Sequence, residues 1–419
     1  MFTKIFKIIK YPLILALSLF ALYSIFFISA NIHNNTSTLE PKSWRPERVT
    51  NIQDFLYYNG TTWDSRHYSN IAQFGYTNES KNMNESYAFF PVFPIEIYLV
   101  ATITGLTYPV AATITGLINT ILCFCAVYIF FKIYLSKFLP DQLKNLDRIF
   151  LIFALLPFNY FLVFAYTESL FILLLTLILT YLLHIKTVNK WFCFLPTLAF
   201  MAGATRSPGV FVSLLFVFMF VQINFAKNLT DFIANCRLNM QSNIILVISA
   251  VANVCGLIAF LYYGLLKTGN FWISRDVQKF WERGSTNNIF DVIYNGLFEL
   301  LKNDVNCIGG GHCSATYIYY YLAFFLLLVC LWIFYKHFRQ NIFNYNFLII
   351  SLVFTFLPLT TNQLVSYNRI FAVSPIYYIL LPIFLVQYIP NRYYDILIIF
   401  LTTLYVMFIT LFSLYYWVG

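Results

Sequence analysis

The chain has 419 residues, of which 60% are hydrophobic, 21% are aromatic and only 10% are charged. Since a soluble domain carries about 25% charged residues and apolar runs of roughly 20 residues recur along this chain, the composition excludes a soluble enzyme. It predicts an all-α polytopic membrane protein. The formal net charge of +9 comes without a soluble basic domain that would bind nucleic acid, so we interpret it as a topology signal.

The first apolar run, residues 12–30, follows Lys4, Lys7 and Lys10. It is long and shows no small-x-small cleavage site, which favours an uncleaved first span over a signal peptide. The lysines place the N-terminus in the cytosol. The next segment is polar and holds the N-x-Ser/Thr sequons at Asn34, Asn35, Asn59, Asn78 and Asn84. A first large loop, residues 31–91, is therefore predicted to be lumenal, in a glycoprotein.

Residues 92–106 are apolar, but as a helix they would be only about 22 Å long. If they spanned the membrane, the basic segment 132–148 would be extracytosolic, against the positive-inside rule. They therefore predict an interfacial or re-entrant helix that continues the lumenal loop. With the first span, the later apolar runs predict about eleven spans in a single transmembrane domain, residues 1–419. These runs are 108–134, 149–166, 168–185, 191–204, 209–226, 243–266, 315–335, 345–361, 370–390 and 395–417.

A second large lumenal loop is predicted over residues 267–314. It contains the sequence CIGGGHC, in which Cys307 and Cys313 flank a glycine-rich stretch. In an oxidising lumen this pair is a candidate disulfide. Free thiols remain an alternative, and a metal site has only His312 as a further ligand.

Isolated ionisable residues occur in the short lumenal turns of this topology. They are Glu168 in AYTESL, Arg206 in GATRSPG and Arg369 in SYNRIF. Charges at such depth are costly unless they are paired or functional. We therefore predict that the working face is lumenal. Each arginine is either a snorkelling interface residue or a clamp for a phosphate group. Glu168 either interacts with a helix dipole or lines a polar cavity.

The stretch TWDSRHY brings Asp64 and His67 to one helical face, three residues apart. A carboxylate beside an aromatic residue near the membrane surface is a candidate general base. It is also a candidate helix N-cap. His67 alone is typical of a hydrogen-bonded structural imidazole. The following YAFFPVFP, which includes Phe90, fits an interfacial aromatic belt or the wall of a lipid site.

These features fit one reaction class. A polyprenyl-phosphate sugar donor brings an apolar tail, a phosphate and a sugar. Apolar grooves would bind the tail, arginines would bind the leaving phosphate, and a carboxylate would take the proton from an acceptor hydroxyl. Attack opposite the phosphate would invert the anomeric carbon. Unlike the site of a nucleotide-sugar enzyme, such a site need not bind a metal to neutralise a diphosphate. No separate cofactor is expected, because the lipid-linked donor is itself a substrate.

The motifs WDSRHYSNIAQFGY and YAFFPVFP resemble the signature of the second mannosyltransferase of glycosylphosphatidylinositol (GPI) anchor assembly. LPFNYFLVFAYTESLF, GATRSPG and NQLVSYNRIFAVSPIYY resemble later segments of that family in the same order. Pro208 stands where the family usually has Asn, SYNRIF replaces a more usual Leu-Thr-Arg-Phe, and the loop 267–314 matches poorly.

The resemblance implies a GT-C type glycosyltransferase of the endoplasmic reticulum membrane. It would transfer mannose in α-1,6 linkage from dolichyl-phosphate mannose to a mannosylated GPI precursor, with a possible small membrane subunit as partner. Asp64 becomes the catalytic candidate. The substrate-binding candidates are Trp63, His67, Phe90, Glu168, Arg206 and Arg369. The alternatives are a GT-C transferase with another donor or acceptor, a transporter or flippase, and a non-catalytic subunit of a glycosylation complex.

Overall fold

The structure, a computed structural model, describes residues 2–32, 48–76, 83–187, 189–278, 314–357 and 367–414. These parts of the chain are helical and contain no β-strand. The α-helices are α1 (Phe2–Asn31), α2 (Ile52–Asn59), α3 (Asp64–Phe74), α4 (Val92–Thr104), α5 (Tyr108–Phe138), α6 (Leu146–Leu155), α7 (Glu168–Leu183), α8 (Leu195–Gly203), α9 (Ser213–Asn224), α10 (Leu229–Leu238), α11 (Met240–Thr268), α12 (Ile273–Asp276), α13 (Ser314–Ile333), α14 (Asn344–Phe356), α15 (Tyr367–Ala372), α16 (Leu381–Tyr388) and α17 (Tyr394–Ser413).

Six helical segments in the described residues are long and apolar enough to cross a bilayer. They are Ile9–Asn31, Tyr108–Phe138, Ser207–Asn224, Met240–Thr268, Tyr321–Phe338 and Asn391–Ser413. Shorter apolar helices lie between them, among them the interfacial candidate Val92–Thr104. The prediction of an all-helical, multi-pass membrane protein is confirmed.

The long helix α5 lies at the centre of the bundle and packs against α1, α2, α3, α4 and α7. Gly116 of α5 makes a close approach possible, because a Cβ there would lie 2.8 Å from the carbonyl oxygen of Phe164 and 2.9 Å from Cα of Ala165. Helix α5 thus supports the segment that leads into α7, and this segment carries part of the site described below.

Two of the predicted spans are interrupted. The predicted span 149–166 is helical only to Leu155. Leu156 then turns extended, with ψ 142°, because the residue before a proline is disfavoured in the α region. A 3₁₀ segment, Asn159–Val163, follows. The predicted span 370–390 is likewise divided, since α15 ends at Ala372 and a π-helical segment, Ile376–Leu380, precedes α16.

The bundle has two ends that differ in their charged residues. At one end, Tyr134 donates to Asn344 at 2.7 Å, and Arg148 donates to Asn391 at 2.8 Å. We call this the basic end, because most lysines and arginines of the described chain lie there. They are Lys10, Lys132, Lys137, Lys144, Arg148, Lys186, Lys227, Arg237, Lys336, Arg339 and Arg392. The opposite end holds Glu168, and we call it the site end.

The asparagine of one of the five sequons is buried. Asn59 at the end of α2 accepts a hydrogen bond from Tyr23 at 2.7 Å and donates one to Thr113 at 3.2 Å. Its side chain therefore joins α1, α2 and α5, and in this position it is not accessible for glycosylation. The other features predicted for the two large loops lie outside the described residues, or their side chains do. These are Asn34, Asn35, Asn78, Asn84, Cys307, His312 and Cys313.

Candidate active site

Asp64 is the first residue of α3, directly after a strained turn. Trp63 holds φ 49° and ψ −129°, the only positive φ of a non-glycine residue in the described chain. Backbone strain of this kind costs of order 1–3 kcal/mol and is concentrated at functional sites. Trp63 occupies the N-cap position without a side-chain cap. The carboxylate of Asp64 does not cap the helix either, because it points to Arg369.

Helix α3 is fixed against the segment that precedes α7. The hydroxyl of Ser65 donates to the carbonyl of Ala165 at 3.2 Å, and the hydroxyls of Tyr68 and Thr167 lie 3.4 Å apart. These contacts span about a hundred residues of sequence. They place Asp64 next to the beginning of α7, where Glu168 is the first helical residue.

Four side chains that the sequence singled out form one ionic cluster of alternating sign. Nη1 of Arg369 donates to Oδ2 of Asp64 at 2.6 Å. Nε and Nη2 of the same guanidinium lie 3.0 and 2.9 Å from Oε1 of Glu168. Nη1 of Arg206 lies 3.4 Å from that same oxygen. The order is therefore Asp64, Arg369, Glu168, Arg206, with two negative and two positive charges. We refer to these four residues as the ionic cluster.

Burial differs along the ionic cluster. The side chains of Glu168 and Arg369 are 0% and 5% exposed, whereas those of Asp64 and Arg206 are 24% and 14% exposed. The inner pair is thus enclosed by protein, and the two outer members reach the surface of the site. For Glu168 the two predicted roles coincide, because it stands in the first turn of α7 and also lines the polar centre.

The loop geometry explains how Arg206 reaches the cluster. It follows α8 in an extended conformation, φ −163° and ψ 158°, and precedes a 3₁₀ segment, Ser207–Val212. Pro208, where the resembling family usually has Asn, lies in the first turn of that segment, a position that suits a residue without an N–H. Gly209 packs against the backbone of Ala202, where a Cβ would collide.

Aromatic rings that sequence reasoning missed support the two guanidiniums. Cζ of Arg369 lies 4.6 Å from the ring centroid of Tyr166 and 5.3 Å from that of Phe161. Cζ of Arg206 lies 5.7 Å from the ring of Phe171. Five of the 13 residues in the stretch NYFLVFAYTESLF are aromatic, against 21% of the whole chain, but no local pattern shows which of these rings would lie against an arginine.

Some buried polar atoms around the cluster have no hydrogen-bond partner among the described residues. They are the hydroxyls of Tyr166 and Ser169, Oε2 of Glu168 and Nη1 of Arg206. Each unsatisfied group costs about 1–3 kcal/mol. Buried polar atoms of this kind are expected to bind water or a polar ligand.

His67 is not part of the ionic cluster. Its ring stacks on Phe89 with centroids 4.4 Å apart and an interplanar angle of 13°. Burial lowers the pKa of His67, and Arg66 lowers it further, while Asp64 opposes the shift. A neutral imidazole packed on an aromatic ring matches the structural interpretation of this residue.

Phe90 also lies apart from the ionic cluster. It packs on Phe260 of α11, with ring centroids 4.7 Å apart, in a separate cluster with Tyr87, Ile273 and Val277. The structure therefore brings together Asp64, Glu168, Arg206 and Arg369, with Trp63 beside them in sequence, but it does not bring Phe90 to them. Its predicted role in substrate binding stays a prediction. No group of three potential metal ligands occurs in the described parts of the chain.

Residues 5–295 match the protein family described as Mannosyltransferase (PIG-V). The match covers more than half of the chain and includes Asp64, Glu168 and Arg206. The chain belongs to this family. The resemblance inferred from the sequence motifs is thereby confirmed at the level of the family. Arg369 lies beyond the matched residues, so its place at the site rests on the geometry.

Comparison with curated proteins finds no significant match. Among solved structures, the chain is similar to the oligosaccharyltransferase of Archaeoglobus fulgidus in two crystal structures. The form tethered through a disulfide bond to an acceptor peptide with an NVT sequon gives a TM-score of 0.42 at 12% identity, covering 96% of this chain and 55% of the other. The apo form gives a TM-score of 0.40 at 13% identity with the same coverage. The chain thus spans about half the length of those proteins.

Proposed function

We propose that this protein is a mannosyltransferase of GPI-anchor assembly. It transfers mannose from dolichyl-phosphate mannose to a mannosylated GPI precursor, forming an α-1,6 linkage. The observation that carries the proposal is the partly exposed carboxylate of Asp64, fixed by Arg369 at the edge of a buried ionic cluster. The family membership supports the reaction class. A GT-C type mechanism with a lipid-linked donor as substrate and no separate cofactor fits this site.

Asp64 is the proposed general base. Arg369 holds Oδ2, and Oδ1 accepts no hydrogen bond from the described residues. The acceptor hydroxyl attacks the anomeric carbon of the donor mannose, and its proton passes to the carboxylate. The bond between that carbon and the phosphate oxygen breaks, and its electron pair stays with the phosphate. Inversion at the anomeric carbon follows from attack on the face opposite the phosphate. General-base catalysis of this kind contributes about 10²–10⁴-fold to a rate.

We further propose that the site faces the lumen of the endoplasmic reticulum. The ionic cluster lies at the end of the bundle opposite the basic end, and lysines and arginines concentrate on the cytosolic side of membrane proteins. The end of α1 and the end of α17 also meet at the site end, since Asn31 donates to the carbonyl of Ser413 at 3.0 Å. This distribution supports a cytosolic start of α1 and a lumenal site.

The direct test is rescue of cells that lack the second GPI mannosyltransferase. We expect the wild-type chain to restore surface GPI anchors and Asp64→Asn to restore none while reaching the same level in membranes. Asp54→Asn is a matched control, because Asp54 is also carried by the predicted first lumenal loop, but its carboxylate accepts hydrogen bonds from the backbone N–H and the hydroxyl of Thr50. Full rescue by Asp64→Asn would refute the assignment of the base.

A second measurement separates donor from acceptor. Purified wild-type protein is given labelled dolichyl-phosphate mannose and a GPI precursor with one mannose, and the glycosidic linkage of the product is determined. We expect an α-1,6 dimannosyl product. Rescue in cells without product from the purified chain would indicate that a partner subunit is required. Label transfer to another acceptor would replace the GPI assignment.

A further inference from the structure

The two arginines of the ionic cluster differ in how many of their donors are engaged. All three nitrogens of the Arg369 guanidinium contact carboxylates, at 2.6, 2.9 and 3.0 Å. The guanidinium also lies against the ring of Tyr166 and is enclosed by protein. It is therefore committed to Asp64 on one side and to Glu168 on the other, and a ligand would have to displace one of them.

Arg206 is arranged in the opposite way. Among the described residues its only ionic contact is the 3.4 Å approach to Glu168, and this approach does not have the geometry of a hydrogen bond. Its side chain is partly exposed, and its guanidinium is held at 5.7 Å from the ring of Phe171. Within the part of the chain that the structure describes, the planar fork of donors is oriented but not hydrogen-bonded. A guanidinium in this state matches the oxygens of a phosphate group.

We propose that Arg206 contacts the phosphate of the lipid-linked donor, and that Arg369 is a positioning residue that holds Asp64. This inference rests on the proposed function, because it takes a donor that carries a phosphate. The outer members of the ionic cluster then divide the chemistry. Asp64 takes the proton of the acceptor hydroxyl at one end, and Arg206 faces the leaving phosphate at the other.

Charge balance gives Arg206 its role in the reaction. The donor phosphodiester carries one negative charge. When the bond from the anomeric carbon to the phosphate oxygen breaks, the electron pair remains on that oxygen and the phosphate gains a second charge. A fixed cation beside this oxygen therefore stabilises the transition state more than it stabilises the bound donor. Glu168 holds Arg206 in place from the buried side.

The test compares binding of dolichyl phosphate with binding of dolichol, using purified protein in nanodiscs. We expect the wild type to prefer the phosphate, and Arg206→Gln to lose about tenfold or more of affinity for the phosphate alone. Arg275→Gln is the matched control. Arg275 also lies at the site end, 3.4 Å from a carboxylate oxygen of Asp276 and 5.4 Å from the ring of Trp272, yet it is outside the cluster. Its binding should equal that of the wild type.

Arg369→Lys tests the positioning role, since it keeps the positive charge between the two carboxylates. We expect its KM for the donor to stay within about threefold of the wild-type value, while kcat falls at least tenfold. Arg369→Gln should lower kcat further than Arg369→Lys. Unchanged phosphate affinity in Arg206→Gln, or a selective loss in Arg369→Lys, would overturn the proposal. If the wild type bound dolichol as tightly as dolichyl phosphate, both the role of Arg206 and the proposed donor would be overturned. If only the assay with the GPI precursor failed, the proposed acceptor would be overturned and the role of Arg206 would stand.

Discussion

The two carboxylates of the ionic cluster are surrounded by protein to different degrees. Glu168 is enclosed between two guanidiniums, while Asp64 keeps about a quarter of its side-chain surface exposed. Removing one partner of a buried ion pair costs about 3–5 kcal/mol, and a partly solvated pair costs less. We therefore expect Glu168→Gln to lower the melting temperature of the purified protein more than Asp64→Asn does. Thermal unfolding in detergent measures both, and the reverse order would contradict the assigned burial.

His67 predicts a dependence of stability on pH. Burial against Phe89 holds its pKa in the folded protein below the value of about 6.5 in the unfolded chain. Below that pH the unfolded chain therefore binds more protons, and the free energy of unfolding falls as the pH decreases, by up to about 1.4 kcal/mol per pH unit. Above about pH 6.5, His67 is neutral in both states, and the free energy of unfolding no longer depends on its titration.

His67→Phe keeps an aromatic ring against Phe89 and removes the titration. We expect the wild type to lose stability relative to this variant between about pH 7 and pH 5, and the difference between the two proteins to be constant at higher pH. Melting temperatures measured across this range give the result. Parallel curves for the two proteins at all pH values would show that His67 does not carry the effect.

Among the elements, the connection between α2 and α3 is held by a close approach to α5. A Cβ at Gly60 would collide with the backbone of Pro109 at the start of α5. Since Asp64 follows four residues later, we expect Gly60→Ala to displace the carboxylate from Arg369. Overpacking of this kind costs about 1–3 kcal/mol, and we expect the transfer rate to fall at least tenfold.

Gly105→Asn is the control for Gly60→Ala. Gly105 has φ 71° and ψ 10° at the end of α4, a conformation that Asn tolerates, and its added Cβ meets nothing within 4 Å. The transfer rates of both variants are measured on membranes supplied with labelled dolichyl-phosphate mannose, and we expect Gly105→Asn to transfer mannose at nearly the wild-type rate. Equal rates for both variants would mean that the contact with Pro109 does not position α3.

The long helices could be predicted closely from the sequence, because an apolar run needs no tertiary partner to be recognised. The predicted spans 243–266 and 395–417 correspond to α11 and α17. The broken segment after Leu155 could not be predicted in the same way. Its course depends on two residues that are distant in sequence. Gly116 allows the backbone of Phe164 and Ala165 to approach α5, and Ser65 donates a hydrogen bond to the carbonyl of Ala165.

The residues of the site could be predicted only as separate charges. Glu168, Arg206 and Arg369 each stood out as an isolated ionisable residue in a short turn, where a charge is costly unless it is paired or functional. Asp64 stood out beside Arg66 and His67 in TWDSRHY. The order of the four residues in the ionic cluster depends on which guanidinium lies between the carboxylates, and no local pattern encodes that. The contact between Tyr166 and Arg369 could not be predicted either, because no local pattern shows which ring lies against the guanidinium.

For the whole molecule, the separation of the basic end from the site end implies a fixed orientation in the membrane. Cys193 is exposed and precedes α8, at the basic end, and Arg275 is exposed in α12, at the site end. A cytosolic basic end therefore makes Cys193 accessible from outside sealed microsomes. A cysteine at position 275 would be enclosed in the lumen.

We expect a membrane-impermeant maleimide to label Cys193 in sealed microsomes, and to label Arg275→Cys only after the membrane is opened with detergent. Labelled positions are identified by peptide mass analysis, which separates them from the other cysteines. Cys255 is an internal control, because it is exposed on the long apolar helix α11, where lipid would exclude a polar reagent in sealed vesicles. Labelling of Arg275→Cys in intact microsomes would place the ionic cluster on the cytosolic side, and a lumenal transfer reaction at Asp64 would then be excluded.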